Sequence, residues 1–198
     1  VARELNCINK KYKFKITKDN NLISAKSNNT DKKFEIDKKD ICPKYGYMFL
    51  ENISLPCETP NYIKQKLDDI GINSIHPIVD ILNFIMIDIG QPMHAYDADK
   101  IGKEIFVRYS KNNEIFRALD GNEYKLEKDN VVIADTKKII SLAGIIGAED
   151  CSVTNFTKNV VIESAFFVPE ALANKARKLK LQTESSQRYE RGVDYNLP

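Results

Sequence analysis

Read as a string of apolar and polar positions, the chain changes its period twice. Residues 1–9 have the spacing of the end of a helix, and YKFKI at 12–16 alternates as a strand does, with Phe14 and Ile16 on one face. From 18 to 40 the chain is polar, lysine-rich and without period, which predicts a loose connector. Apolar content rises at ICPKYGYMFLENI, so the main domain is expected over 41–198, with 1–40 as the end of a preceding small domain plus the connector. Two helical stretches follow. In CETPNYIKQKLDDIG, Thr59 suits the N-cap, Pro60 the first helical position and Gly71 the position past the end. HPIVDILNFIMIDIG is apolar almost all round, which predicts a helix buried on most sides. Gly90 ends it and Pro92 bars it from continuing.

Beyond residue 100 the period shortens to two. EIFVRY (104–109), IFRAL (115–119), EYKL (123–126), NVVIAD (130–135), IISLAG (139–144) and NVVIESA (159–165) read as short strands. Asp120-Gly121 between the second and third is a hairpin signal. The tail VPEALANKARKLKLQ has Pro169 near a helix start and Leu172, Ala176 and Leu179 at helical spacing, and SSQRYERG adds a short capped turn ending at Gly192. Helices, a block of strands, then helices argue for an α+β fold over a doubly wound one.

Composition narrows the function classes. With 42% apolar and 29% charged residues among 198, the chain is an ordinary globular one. Its net charge of +2 is no whole-chain nucleic-acid signature. No run of about 18 apolar residues crosses a membrane, and no signal peptide opens the chain, so a cytoplasmic location with reduced thiols is expected. The four cysteines, at 7, 42, 57 and 151, form no C-x-x-C pair and share no metal spacing with His76 or His94, so no metal site is expected. The start VARELNC lacks a methionine and reads as mid-helix, the mark of a piece of a longer protein.

Four stretches could carry chemistry. In GQPMHAYD a helix breaks sharply, so His94 projects into whatever lies beyond it; it is either a proton-handling group or a packed histidine. In SLAGIIGAED, Gly144 and Gly147 either let a ligand approach backbone N–H groups or let strands pass closely. In VVIESAFF, Glu163 shares a face with Val161, and an inward carboxylate is costly unless hydrogen-bonded. KARKLKLQTESSQRYERG is locally basic and is either a phosphate-tracking surface or a solvated face.

In order along the chain, GINSIHPIVDILNFIMIDIGQPMHAYDADKI, LDGNEYKL, VVIAD, LAGIIGAED and VVIESAFFVPEALANKARKLKLQTESSQRYERGVD resemble the editing module of the beta subunit of bacterial phenylalanyl-tRNA synthetases, over about 42–195. The resemblance implies the B3/B4 fold: β-sandwich-like mixed sheets with flanking helices, of a type that tRNA-lysidine synthetases also carry. It implies hydrolysis of misacylated Tyr-tRNA(Phe), because a hydrophobic pocket built for phenylalanine rejects an isostere with one added hydroxyl by only about 1–3 kcal/mol. The parent enzyme would attach phenylalanine to tRNA(Phe) with ATP and Mg²⁺, its catalytic core lying in an alpha subunit of an alpha2-beta2 heterotetramer; no cofactor is expected in this piece. Matched residue by residue, Glu163 falls on the carboxylate that accepts the tyrosine phenol and His94 on the pocket histidine near the ester. Pro92 shapes that wall. Gly144 and Gly147 leave room for the ring and the terminal adenosine, Thr183 is a pocket threonine, and Ser185 stands where many relatives have alanine. Asn73 replaces the arginine of G-x-R-S-I, while Phe84 and Tyr96 exchange tyrosine and phenylalanine relative to the common pattern. The alternative is a non-enzymatic tRNA-binding or subunit-scaffolding module.

Overall fold

The structure, a computed structural model, describes residues 32–36 and 38–198. The expected helix end at 1–9 and strand at 12–16 lie outside the described residues. Among the described residues there are ten strands: β1 (Lys33–Glu35), β2 (Lys44–Leu50), β3 (Met93–Asp97), β4 (Glu104–Tyr109), β5 (Glu114–Arg117), β6 (Glu123–Leu126), β7 (Val131–Asp135), β8 (Ile139–Leu142), β9 (Ile146–Gly147) and β10 (Val160–Phe166). The α-helices among them are α1 (Asn61–Asp68), α2 (Pro77–Ile89), α3 (Pro169–Leu172), α4 (Lys175–Lys178) and α5 (Glu184–Arg191).

The strands form a five-stranded sheet in the order β1-β4-β7-β8-β9, a three-stranded sheet in the order β2-β10-β3, and the β5-β6 hairpin. Pairing is antiparallel except between β1 and β4. All five residues of β7 are buried, because this strand sits at the centre of the larger sheet with both faces covered. Ile133, Ile140 and Leu142 are fully buried there, each stabilising by on the order of 2 kcal/mol. The hairpin turns at Gly121, whose φ of +80° a side chain would resist, while Asp120 accepts from Asn122 N and the Tyr124 hydroxyl.

The smaller sheet is covered on both sides. Tyr96, Val161 and Ala165 face the five-stranded sheet and join one core with Val107, Val132 and Leu142. Ala95, Val160 and Ile162 face the other way, onto Leu82 of α2. The α+β, sandwich-like architecture follows from this arrangement.

Several local expectations need correction. Lys33–Glu35, inside the expected loose connector, pair in parallel with Glu104–Phe106. Pro60, not Thr59, is the N-cap of α1, and Thr59 donates to the buried Asp80 instead. α2 is not buried on most sides: Ile81, Ile87 and Ile89 are exposed, on the part of its surface that neither α1 nor β3 covers. The expected helix after Pro169 is broken in two at Asn174, which takes φ +62°. The short turn before Gly192 is instead an eight-residue helix with a reciprocal capping box between Thr183 and Ser186. β2 and β3 had no strand expectation at all.

Among the described residues no helix is long and apolar enough to cross a membrane.

Candidate functional site

Register builds the site. On the central strand β10, Glu163 lies directly opposite His94 of β3 and Tyr47 of β2. Residues directly opposite in an antiparallel pair share a face, so Glu163 and His94 both point toward the five-stranded sheet. Tyr45 stands opposite Ala165 and Tyr96 opposite Val161, which makes these two tyrosines the diagonal neighbours of Glu163, one from each flanking strand. Both reach it: the Tyr45 hydroxyl donates to Glu163 Oε2 at 2.9 Å and the Tyr96 hydroxyl to the same oxygen at 2.5 Å. Oε1 takes no hydrogen bond among the described residues, and Glu163 lines a cavity.

Glu163 is 5% exposed. Burial pushes its carboxyl up to about 7, against the two phenol hydrogen bonds that favour the anion. Burial holds the His94 imidazole down at about 4. His94 is therefore neutral near pH 7 and keeps one ring nitrogen able to accept a hydrogen bond or a proton. Its Nε2 is buried and has no hydrogen-bond partner among the described residues, and its ring packs edge-on against Tyr96, with centroids 4.6 Å apart.

The cavity is a narrow well of about 40 Å³, lined by Pro92, His94, Ser141, Gly144, Glu163 and Tyr189 among others. That is room for roughly three waters. It adjoins a cleft of about 600 Å³, and the two share Met93, His94, Ile145, Ile146, Gly147 and Ser185 as walls. A carboxylate thus lines the well, and an imidazole belongs to both spaces.

The glycines serve the protein's own packing. A methyl at Gly147 would sit 2.3 Å from His94 Nε2, so the bare Cα makes the space the imidazole fills. Gly144 has φ +68°, and a methyl there would meet Leu172 Cδ1 at 2.7 Å and Tyr189 Cδ2 at 2.9 Å. Tyr189 in turn anchors α5: its Oη lies 3.1 Å from both Pro92 O and Ala165 O, and the buried Gln91 amide donates to the same two carbonyls. This clamp fixes Pro92 against the end of β10.

Pro92, His94, Gly144, Gly147, Glu163 and Ser185 therefore come together around one well and cleft. Thr183 does not join them. Its hydroxyl caps α5 by accepting from Ser186 N and donates to Ile145 O at 2.9 Å, which ties the 144–147 turn to the helix. The basic stretch is partly neutralised: Lys175 pairs with Asp129, Lys178 with Glu127 and Arg188 with Glu184. Sequence reasoning missed Tyr45 and the role of Tyr96, whose pairing depends on strand register, and Tyr189, whose contacts depend on how α5 docks. It also missed Asp80, which accepts from Thr59 Oγ1, Ser74 Oγ and Ile75 N and so holds the loop carrying Ile75 and His76 along the cleft. Among the described residues no cluster of side chains could hold a metal ion.

A family model described as the B3/4 domain matches residues 41–198. The chain is 46% identical over 166 residues to the phenylalanine--tRNA ligase beta subunit of Francisella tularensis, covering 84% of this chain and 21% of that protein. It is 44% identical over 179 residues to the same subunit of Vibrio cholerae, covering 89% and 22%, and 38% identical over 198 residues to that of Haemophilus influenzae, covering 100% and 24%. The chain thus spans less than a quarter of the length of these relatives. Among solved structures, an N-terminal fragment of the phenylalanyl-tRNA synthetase beta subunit from Pyrococcus horikoshii matches with a TM-score of 0.50 and 22% identity, covering 67% of this chain and 42% of that one. That likeness speaks to the fold alone.

Proposed function

Because the chain belongs to the B3/4 domain family, we propose that it acts as the editing module of a phenylalanine--tRNA ligase, hydrolysing Tyr-tRNA(Phe). The observation that carries this reading is the half-used carboxylate: Glu163 Oε2 takes both tyrosine hydroxyls, and Oε1 is left without a donor on a residue that lines the well. A substrate phenol entering from the cleft supplies the missing donor. Phenylalanine brings none, and leaves a buried polar oxygen unpaired at a cost of about 1–3 kcal/mol, more where the oxygen is charged. A scaffold gains nothing from a buried carboxyl near neutrality, whereas a reader of one hydroxyl does.

The phenolic tip occupies the well, and the aminoacyl ester lies at the mouth beside His94, with the terminal ribose in the cleft. A water oxygen attacks the ester carbonyl carbon, the bond to the ribose oxygen breaks, and the proton passes to that ribose oxygen, giving free tyrosine and deacylated tRNA. His94, neutral and with an unpartnered Nε2, orients ester or water by hydrogen bonding. Of the 144–147 N–H groups, that of Ile145 is committed to Leu142 O, and Ile146 and Gly147 pair with β8, so oxyanion stabilisation falls to an N–H outside these bonds. The partners of this reading are the acceptor end of tRNA(Phe) and an alpha subunit in an alpha2-beta2 assembly in the cytoplasm. ATP and Mg²⁺ serve ligation by that subunit.

The test is deacylation of Tyr-tRNA(Phe) and Phe-tRNA(Phe) by the full-length two-subunit enzyme, wild type beside Glu163→Ala. Wild type should prefer the tyrosyl ester and the variant should lose that preference. A variant still selective for tyrosine would remove Glu163 from the reading.

A further inference from the structure

We propose that Tyr45 and Tyr96 are positioning residues for substrate selection: together they pin one oxygen of Glu163 and so present the other, in one orientation, to the incoming phenol. The inference rests on the editing reading and adds how its selectivity is built.

Three observations carry it. Both hydroxyls converge on Oε2, at 2.9 and 2.5 Å, and neither on Oε1. They arrive from opposite flanking strands, as the two diagonal neighbours of Glu163, so the carboxylate cannot rotate without breaking at least one bond. Tyr96 is fully buried and donates nowhere else among the described residues, so its phenol is given to this one bond.

The pair also governs ionisation. The titratable groups facing Glu163 are Tyr45 and Tyr47 on β2, Tyr96 and His94 on β3, Tyr189 on α5, and the Cys42 thiol just ahead of β2. Burial raises the phenols of Tyr45, Tyr96 and Tyr189 and takes Cys42 up to about 12, and His94 sits at about 4, so these five are neutral near pH 7. Among the described residues, two hydrogen bonds and no neighbouring cation therefore oppose the rise to about 7 that burial imposes on Glu163.

The experiment uses the full-length two-subunit enzyme and compares wild type, Tyr96→Phe and Tyr45→Phe. Each variant keeps its ring and loses only the hydroxyl, and denaturation midpoints of both variants beside wild type check that the fold is kept. KM and kcat for Tyr-tRNA(Phe) hydrolysis are measured from pH 5.5 to 9, with Phe-tRNA(Phe) alongside. Each variant should raise KM for the tyrosyl ester about 10-fold with a smaller change in kcat, as loss of one hydrogen bond to a charged group implies. Each should also move the acid limb of the profile to higher pH by about one unit, because removing a donor favours the protonated acid. A side chain that only fills space would leave that limb in place. Wild-type KM and an unmoved limb in both variants would overturn the proposal while leaving the editing reading intact. A wild-type enzyme that cleaves both esters alike would overturn the editing reading and this one with it, before any variant is made.

Discussion

Replacing Gly147 by alanine isolates the contact on which His94 depends. Gly147 has no positive φ, so the backbone accepts alanine and only the methyl matters. That methyl would lie 2.3 Å from His94 Nε2 and 2.5 Å from Cε1. Ordinary van der Waals separation is about 3.5 Å, so the imidazole must retreat by roughly 1.2 Å. Tyr96 packs edge-on against that ring, with centroids 4.6 Å apart, and is bonded to Glu163 at 2.5 Å, so displacing the imidazole disturbs the carboxylate's hydrogen bond. Overpacking of this kind costs about 1–3 kcal/mol, and misplacing a catalytic group by about 1 Å slows turnover on the order of 100-fold. Chemical denaturation and Tyr-tRNA(Phe) deacylation read the two effects separately. A double-mutant cycle then locates the clash: in a His94→Ala background Gly147→Ala should cost little stability. Wild-type stability and activity in Gly147→Ala, or an equal cost in both backgrounds, would refute this packing argument.

Gly144→Ala should destabilise more than Gly147→Ala by denaturant midpoint, because φ +68° strains any side chain and the methyl also meets Leu172 and Tyr189 at under 3 Å. Asp80→Ala should lower stability by about 3–5 kcal/mol, by stranding the buried Thr59 hydroxyl and two further donors, Ser74 and Ile75 N; a thermal midpoint within 2 °C (~2 °C, about 0.5 kcal/mol) would refute its role as a latch. Glu163 in the fold titrates near 7 against an ordinary value of 4.5, so folding favours its protonated form. Its contribution is full below pH 4.5 and is lost as pH rises through 7, by about 3 kcal/mol at most. Glu163→Gln should therefore gain stability over wild type at pH 8 but not at pH 4.5, as denaturation at the two pH values would record.

Local pattern made much of this legible. VVIAD and the Asp120-Gly121 hairpin announce themselves through apolar runs and turn chemistry, and the alternation in VVIESA places Val161 and Glu163 on one face, where both are indeed buried. β2 and β3 were hidden for different reasons. KYGYMFL carries a glycine in its middle, and MHAYD follows a proline and holds a histidine and an aspartate; each becomes a strand because β10 pairs with it. The partners of Glu163 were hidden for the same reason. Tyr45 is 118 positions away and Tyr96 is 67 away, and only the β2-β10-β3 order makes them neighbours. Asn174 broke a helix whose apolar spacing continued past it, because left-handed backbone leaves no mark on hydrophobic period.

The central claim is that one oxygen of Glu163 reads the substrate's phenol. A crystal structure of the full-length enzyme with a non-hydrolysable 3′-tyrosylamino-adenosine tests it most directly. The phenolic oxygen should lie within about 3 Å of Glu163 Oε1, with Tyr45 and Tyr96 still on Oε2. A tyrosyl ring lodged in the outer cleft, with its hydroxyl bonded elsewhere and Oε1 still unpaired, would contradict the account.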